Sequence, residues 1–196
     1  MEIIEILGYK RTNFGKADSK KLRIGAEVPG VLYGRDTSLH FYVPMALLRN
    51  LVYTPYAHFV DLNIEGSVYR CILQDIQFHP VSEMILHVDF LQIVENKKIK
   101  MQIPIAFVGK AVGVTKGGVL SKKERKLTVA SFPQEMPSVI EVDVSALDLG
   151  QIVRVHQIPA KNYTILTLPH TPIASVEIPR ALRSAASKEE KKSKKA

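Results

Sequence analysis

The chain contains little cysteine and no long apolar run. The one cysteine among 196 residues, Cys71, excludes an internal disulfide, and its place in the apolar run 68–72 predicts a packed side chain in a reducing compartment. No segment approaches the roughly 20 consecutive apolar residues of a membrane-spanning helix. Glu2 and Glu5 stand where a signal peptide carries basic residues. We therefore expect a cytoplasmic protein without membrane contact.

The sequence also lacks the patterns of common enzymes and metal sites. The glycines of GKAVGVTKGG, residues 109–118, do not follow the order that cradles phosphates, because Lys116 precedes its glycine pair, and they predict a flexible loop. His87 and Asp89 form an H-x-D unit that could serve a metal or a proton relay, but no third ligand follows at motif spacing. We expect no catalytic site, metal, cofactor or small-molecule substrate.

Positive charge is concentrated at the two ends of the chain. The formal net charge is +8, with seven basic and four acidic residues in 1–35, seven and two in 180–196, and a neutral stretch between them. A partner with a charged backbone, such as a nucleic acid, is met by clustered charge. The segment ALRSAASKEEKKSKKA is low in complexity and predicts a disordered Lys-rich tail over residues 180–196, which either attracts nucleic acid or only aids solubility.

The N-terminal basic cluster lies in sequence that we expect to fold. Asp18 or Ser19 can cap a helix that reaches about Glu27, and Pro29 with Gly30 would end it. The apolar side of that helix would contain residues 22 and 26. Basic residues would then lie on its exposed side and in the preceding loop: Arg11, Lys16, Lys20, Lys21 and Arg23. Such a cluster either binds RNA phosphates or marks a solvated helix face.

Most of the remaining sequence has the pattern of β-strands. In the first part, Gly66 predicts a tight hairpin, and a helix that starts at Pro44 and closes before Pro55 would plug one end of a small, mostly antiparallel barrel. The polar string ENKK predicts a linker between a first domain, 1–94, and a second all-β domain, 95–179. We expect strands at 3–7, 31–33, 39–43, 58–64, 68–77, 85–94, 99–105, 126–130, 139–144, 152–155, 163–168 and 173–178.

Four segments, GKADSKKLR, VPGVLYG, QDIQFHP and LHVDF, resemble a known family in their order and spacing. They are similar to the bacterial large-subunit ribosomal proteins that bind 5S ribosomal RNA, the L-twenty-five family. The stretches GVLS and IEVDVSALDLGQIVRV resemble the second domain of its long form, often called the general stress protein Ctc. The resemblance covers residues 1 to about 179.

This resemblance implies a mainly β protein whose six-stranded barrel-like N-terminal domain, with two short helices, grips the loop E region of 5S rRNA. Its second all-β domain would contact neighbouring large-subunit proteins and rRNA near the central protuberance. The matching positions imply nine RNA-binding residues: Arg11, Lys16, Ser19, Lys20, Arg23, Tyr33, Gln74, His87 and Asp89.

The resemblance also gives these residues separate roles. The basic residues and Ser19 would contact phosphates and sugars, Tyr33 would add an aromatic or hydroxyl contact, and the last three would hydrogen-bond in the groove. Phosphate repels a carboxylate, so Asp89 would accept from a base amino group or orient His87; alternatively, the pair only orders the sheet.

The sequence departs from the family pattern in the basic cluster. Many relatives have arginine where Lys20 and Lys21 stand, and lysine does not supply the planar guanidinium that makes a two-pronged contact with a phosphate or a guanine.

A second hypothesis makes the chain a stress-related protein interaction module that acts through its C-terminal β-domain.

Overall fold

The computed structural model describes residues 1–34, 38–94, 96–159 and 162–179. The expected disordered tail, 180–196, lies outside these ranges. The chain divides into two compact units, Met1–Met101 with Ala130–Ser138, and Gln102–Val129 with the residues from Val139 onward. The first division falls within a strand, Ile99–Val108.

The first unit contains a closed six-stranded barrel, as predicted. Its elements are β1 Ile3–Lys10, α1 Lys16–Ile24, β2 Glu27–Tyr33, β3 Leu39–Pro44, α2 Met45–Val52, β4 Phe59–Ile64, β5 Ser67–Phe78 and β6 Ile85–Gln92. The strand order is β1-β3-β2-β6-β5-β4. The β1–β4 and β2–β6 pairs are parallel, and the other four pairs are antiparallel. Gly66, at φ 89°, forms the hairpin between β4 and β5, as predicted.

Alternating apolar residues of the strands fill the barrel. Phe41 and Phe90 are fully buried and pack with their ring centroids 5.9 Å apart. Leu48 and Leu51 of α2 belong to the same core cluster, and Cys71 is buried within it, as expected. Burial of each large side chain stabilises the fold by about 1.5–3 kcal/mol. The core therefore fixes which residues of each strand face outward.

Helix α1 begins and ends earlier than the sequence predicted. It starts after Gly15, whose φ of 114° suits glycine, and no side chain caps it. The chain reverses at Ala26 (φ 57°), and Pro29 and Gly30 lie inside β2. The helix end predicted at Pro29 and Gly30 was wrong, because both residues are buried in a strand of the barrel. Ala26 is exposed beyond the helix, which has no fully buried residue.

The second part of the chain forms two small sheets. Its elements are β7 Ile99–Val108, α3 Val112–Thr115, β8 Val119–Lys122, β9 Lys126–Ser131, β10 Ile140–Asp143, β11 Ile152–Arg154, β12 Thr164–Ile165 and β13 Pro172–Glu177. The strand orders are β10-β7-β9-β12 and β11-β13-β8. The second all-β domain is thus confirmed in character, although α3 and β8 were not predicted.

Two local expectations in this part were wrong. The glycines of 109–118 do not form an open loop: a Cβ on Gly113 would lie 2.7 Å from the carbonyl carbon of Asp148, and one on Gly118 would lie 2.6 Å from a Val176 methyl. These glycines allow close packing. The strand expected at 163–168 contains only two residues, since the Thr128 N–H bonds to the Thr167 hydroxyl oxygen (3.1 Å) and interrupts the ladder.

Candidate nucleic-acid interface

Helix α1 presents cations outward from the barrel. Lys16 and Lys20 lie one turn apart and are exposed, and Lys21 is exposed beside them. The N–H groups of the first turn leave partial positive charge at the end of the helix where Lys16 lies, whereas Lys21 belongs to the last turn. This end of α1 therefore attracts anions through both its side chains and its backbone.

Arg11 anchors the start of α1 to strand β1. Its side chain is only 9% exposed, and one terminal nitrogen lies 3.2 Å from Asp18 Oδ2 and 3.2 Å from Ser19 Oγ. The Ser19 hydroxyl in turn donates to the Gly15 carbonyl at 3.0 Å. The guanidinium and the hydroxyl thus both contribute to holding the helix in place.

Arg23 connects the other end of α1 to strand β6. Its Nε donates to the Leu86 carbonyl oxygen at 3.0 Å, next to His87 in the chain. Helix α1 also packs against β2, the strand that pairs with β6. The predicted residues of the helix and those of β2 and β6 are thereby brought into one neighbourhood.

His87 and Asp89 face outward from β6 as a pair. His87 Nδ1 lies 2.7 Å from Asp89 Oδ1, and the side chains are 25% and 32% exposed. The carboxylate orients the ring, which leaves Nε2 as the second ring nitrogen for an external partner. The predicted common direction of these side chains is confirmed.

Tyr33 lies on β2, close to the same pair. Burial raises the pKa of Tyr33, and the charges of Asp89 and Asp75 raise it further. The phenol therefore keeps its proton in the neutral range, and its O–H is available as a hydrogen-bond donor.

Gln74 is exposed but stands at an irregularity of β5, where the register shifts between Leu73 and Asp75. Asp75 instead pairs with Asp89, and Gln77 pairs with His87. Asp75 and Gln77 were not predicted as neighbours of the H-x-D unit. Asp75 and Gln77 alternate with Ile76, and this pattern could have placed both on the outward face of β5. The shift in register that pairs them with Asp89 and His87 is not visible in the sequence.

A group of exposed aromatic residues was also missed. Phe14 is 62% exposed, with the Arg11 guanidinium carbon 5.7 Å from its ring centroid and the His40 ring at 5.1 Å. Tyr9 and Tyr42 stack nearby on β1 and β3, with centroids 5.3 Å apart. Aromatic faces beside cations are typical of surfaces that bind unstacked bases.

Within the described ranges, no group of three or more His, Cys, Asp or Glu side chains is arranged to hold a metal ion. Among the same residues, no helix has the length and apolar character needed to cross a membrane.

Comparison with known proteins decides the family. The Ribosomal L25p family model matches residues 6–90, and the model of the ribosomal protein TL5 C-terminal domain matches residues 98–180. The large ribosomal subunit protein bL25 of Amoebophilus asiaticus is 60% identical over 195 residues, which cover 100% of both chains. The chain belongs to the Ribosomal L25p family.

It has the two-domain form of this family, in which the TL5-type domain follows the first, and it is a non-enzymatic ribosomal protein. The protein bL25 of Cytophaga hutchinsonii is 49% identical over 93% of this chain and 95% of that one. That of Phocaeicola vulgatus is 44% identical over 95% and 98%. The expected family is thus confirmed over both parts of the chain.

Proposed function

We propose that this protein is a structural constituent of the large ribosomal subunit that binds the loop E region of 5S rRNA with its first unit. It helps to hold that RNA in the central protuberance. The observation that carries the proposal is the arrangement of α1: the helix exposes Lys16 and Lys20, and its Arg23 is hydrogen-bonded to Leu86, next to the outward-facing His87–Asp89 pair.

The two parts of this surface have different tasks. Lys16 and Lys20 neutralise phosphates, which releases condensed counterions and makes binding depend on salt. Ser19 and Arg23 contact the sugar-phosphate backbone along the helix. Arg11 positions the helix and adds its charge to the same contact.

The strand residues supply the selectivity of the proposed contact. Asp89 orients His87 and accepts from a base amino group, while His87 contacts a base edge or a 2′-hydroxyl. Tyr33 donates its hydroxyl proton, and Gln74 hydrogen-bonds at the margin of the surface. Backbone contacts alone position a protein on RNA but do not distinguish one folded RNA from another.

The decisive experiment is a gel-shift titration of 5S rRNA with transfer RNA as competitor, at two salt concentrations. The double variant Lys16→Glu, Lys20→Glu should weaken binding more than tenfold. It should also reduce the slope of log K against log salt by about two, roughly one for each lost phosphate contact.

A matched control makes the same charge change elsewhere. Lys110 and Lys126 are exposed residues of the second unit, and the variant Lys110→Glu, Lys126→Glu should bind 5S rRNA almost as tightly as the original chain. Equal losses in the two double variants would show that only net charge matters and would overturn the assignment to α1.

A further inference from the structure

The second unit contains a cleft of about 750 Å³, and every residue that lines it belongs to this unit. Its apolar part includes Val108, Leu147, Ile152 and Ile158. Val108 and Ile152 are 47% and 42% exposed, so they offer apolar surface to an incoming chain. None of the lining residues belongs to the unit that carries the proposed RNA surface.

Two edge strands line the cleft. Strand β10 ends one sheet, and β11 ends the other. The Val144 N–H donates to the Val108 carbonyl at 3.0 Å, so the backbone groups of Val142 also point towards β7. Because successive residues of a strand point their N–H and C=O groups in opposite directions, those of Glu141 and Asp143 point to the open edge. An open edge is a template for one more strand.

The charges around the cleft indicate the chemistry of a strand that would pair with this open edge. Glu141 and Asp143 are the charged residues that line it within the described part of the chain, and both are acidic. Asp143 stays ionised because hydrogen bonds from the Ser145 side chain and backbone lower its pKa, the backbone N–H lying 2.8 Å from Oδ1. This local charge repels a nucleic acid and attracts a basic polypeptide.

We propose that this cleft binds an extended, basic segment of another polypeptide, which adds a strand to the edge of β10. The backbone groups of Glu141 and Asp143 pair with the segment. Its basic side chains lie on the face of β10 that carries Glu141 and Asp143, and its alternate, apolar side chains lie on the opposite face, the side of Val142. The proposal is independent of 5S rRNA binding, which is assigned to the other unit.

The test is fluorescence anisotropy of the full chain with a labelled peptide of alternating lysine and valine. We expect saturable binding that weakens with salt. A peptide of alternating glutamate and valine should not bind, and the lysine peptide with methylated backbone nitrogens on one edge should bind about tenfold more weakly, since it cannot form the ladder.

The protein variant is Glu141→Lys, and its control is Glu135→Lys, the same charge reversal at an exposed residue of the first unit. Glu141→Lys should weaken binding of the lysine peptide about tenfold while Glu135→Lys leaves it nearly unchanged. Circular dichroism checks that both variants are folded.

Several results would overturn the proposal. These are failure of the lysine peptide to bind, equal binding of the glutamate or methylated peptide, and equal effects of the two substitutions. Dimerisation of the chain that Glu141→Lys abolishes would assign the cleft to a second copy. Binding of labelled oligouridine that Glu141→Lys weakens would assign it to RNA.

Discussion

Gly30 lies in the middle of β2, where the interior of the barrel is narrow. A Cβ at this position would stand 2.8 Å from Phe41 Cζ, 2.8 Å from Val88 Cγ2 and 3.0 Å from the Val88 carbonyl oxygen. The last of these atoms belongs to the backbone of a paired strand and cannot turn aside. Gly30, which was predicted to end a helix, is therefore required for packing between β2, β3 and β6.

Gly30→Ala should lower the free energy of unfolding by about 1–3 kcal/mol, because the added methyl overpacks the barrel. Urea denaturation followed by circular dichroism measures the change. The control is Gly25→Ala, where the backbone φ of −76° suits alanine and the nearest atom to the new Cβ is 3.4 Å away. That variant should stay within about 0.5 kcal/mol of the original; a similar loss in both would contradict the explanation.

Helix α1 depends on polar contacts for its position, because it has no fully buried residue. Arg11 joins its first turns to β1, and Arg23 joins its last turn to β6. Nine residues are too few to form a stable helix in isolation. The guanidinium groups of Arg11 and Arg23 therefore hold α1, which carries the proposed phosphate contacts, in position.

Arg11→Met should loosen α1 while leaving the barrel folded. Hydrogen bonds to charged groups contribute about 1.5–3 kcal/mol, so the backbone amides of α1 should exchange with deuterium tenfold faster or more. Hydrogen-exchange mass spectrometry reads this out for each segment. Lys10→Met removes the same charge from an exposed neighbour in β1 and should leave exchange in α1 unchanged. Equal acceleration in both variants would exclude an anchoring role for Arg11.

At the scale of the whole molecule, the two units differ in what they present to a partner. The first presents cations on α1 with polar and aromatic side chains on neighbouring strands, and the second presents an apolar cleft with acidic residues. The proposed contacts with RNA and with a polypeptide therefore use different surfaces of one chain.

Saturating 5S rRNA should slow hydrogen exchange in α1, β2 and β6 while leaving β8, β11 and β13 unchanged. Ligand at a hundred times its Kd stabilises the bound form by about 2.7 kcal/mol, which is measurable as slower exchange in the unit that binds. Transfer RNA at the same concentration serves as the control. Protection that appears only in the second unit would contradict the proposed division of tasks.

Most of the strands, the H-x-D pair and the family could be predicted from the sequence, and the resemblance to that family implied the six-stranded barrel. Alternation with a period of two is a local property, so His87 and Asp89 could be placed on one face of β6 without knowledge of the fold. The basic residues around α1 were likewise visible as a cluster.

Features that depend on what lies across a strand pair could be read only from the folded chain. Pro29 and Gly30 satisfy local rules for ending a helix, yet both belong to β2 because the side chains of β3 and β6 leave no room for a Cβ at Gly30. The shift of register in β5 placed Asp75 and Gln77 opposite the H-x-D pair, and the edges of β10 and β11 formed the cleft. Such contacts join residues far apart in the chain, and local sequence patterns do not specify them.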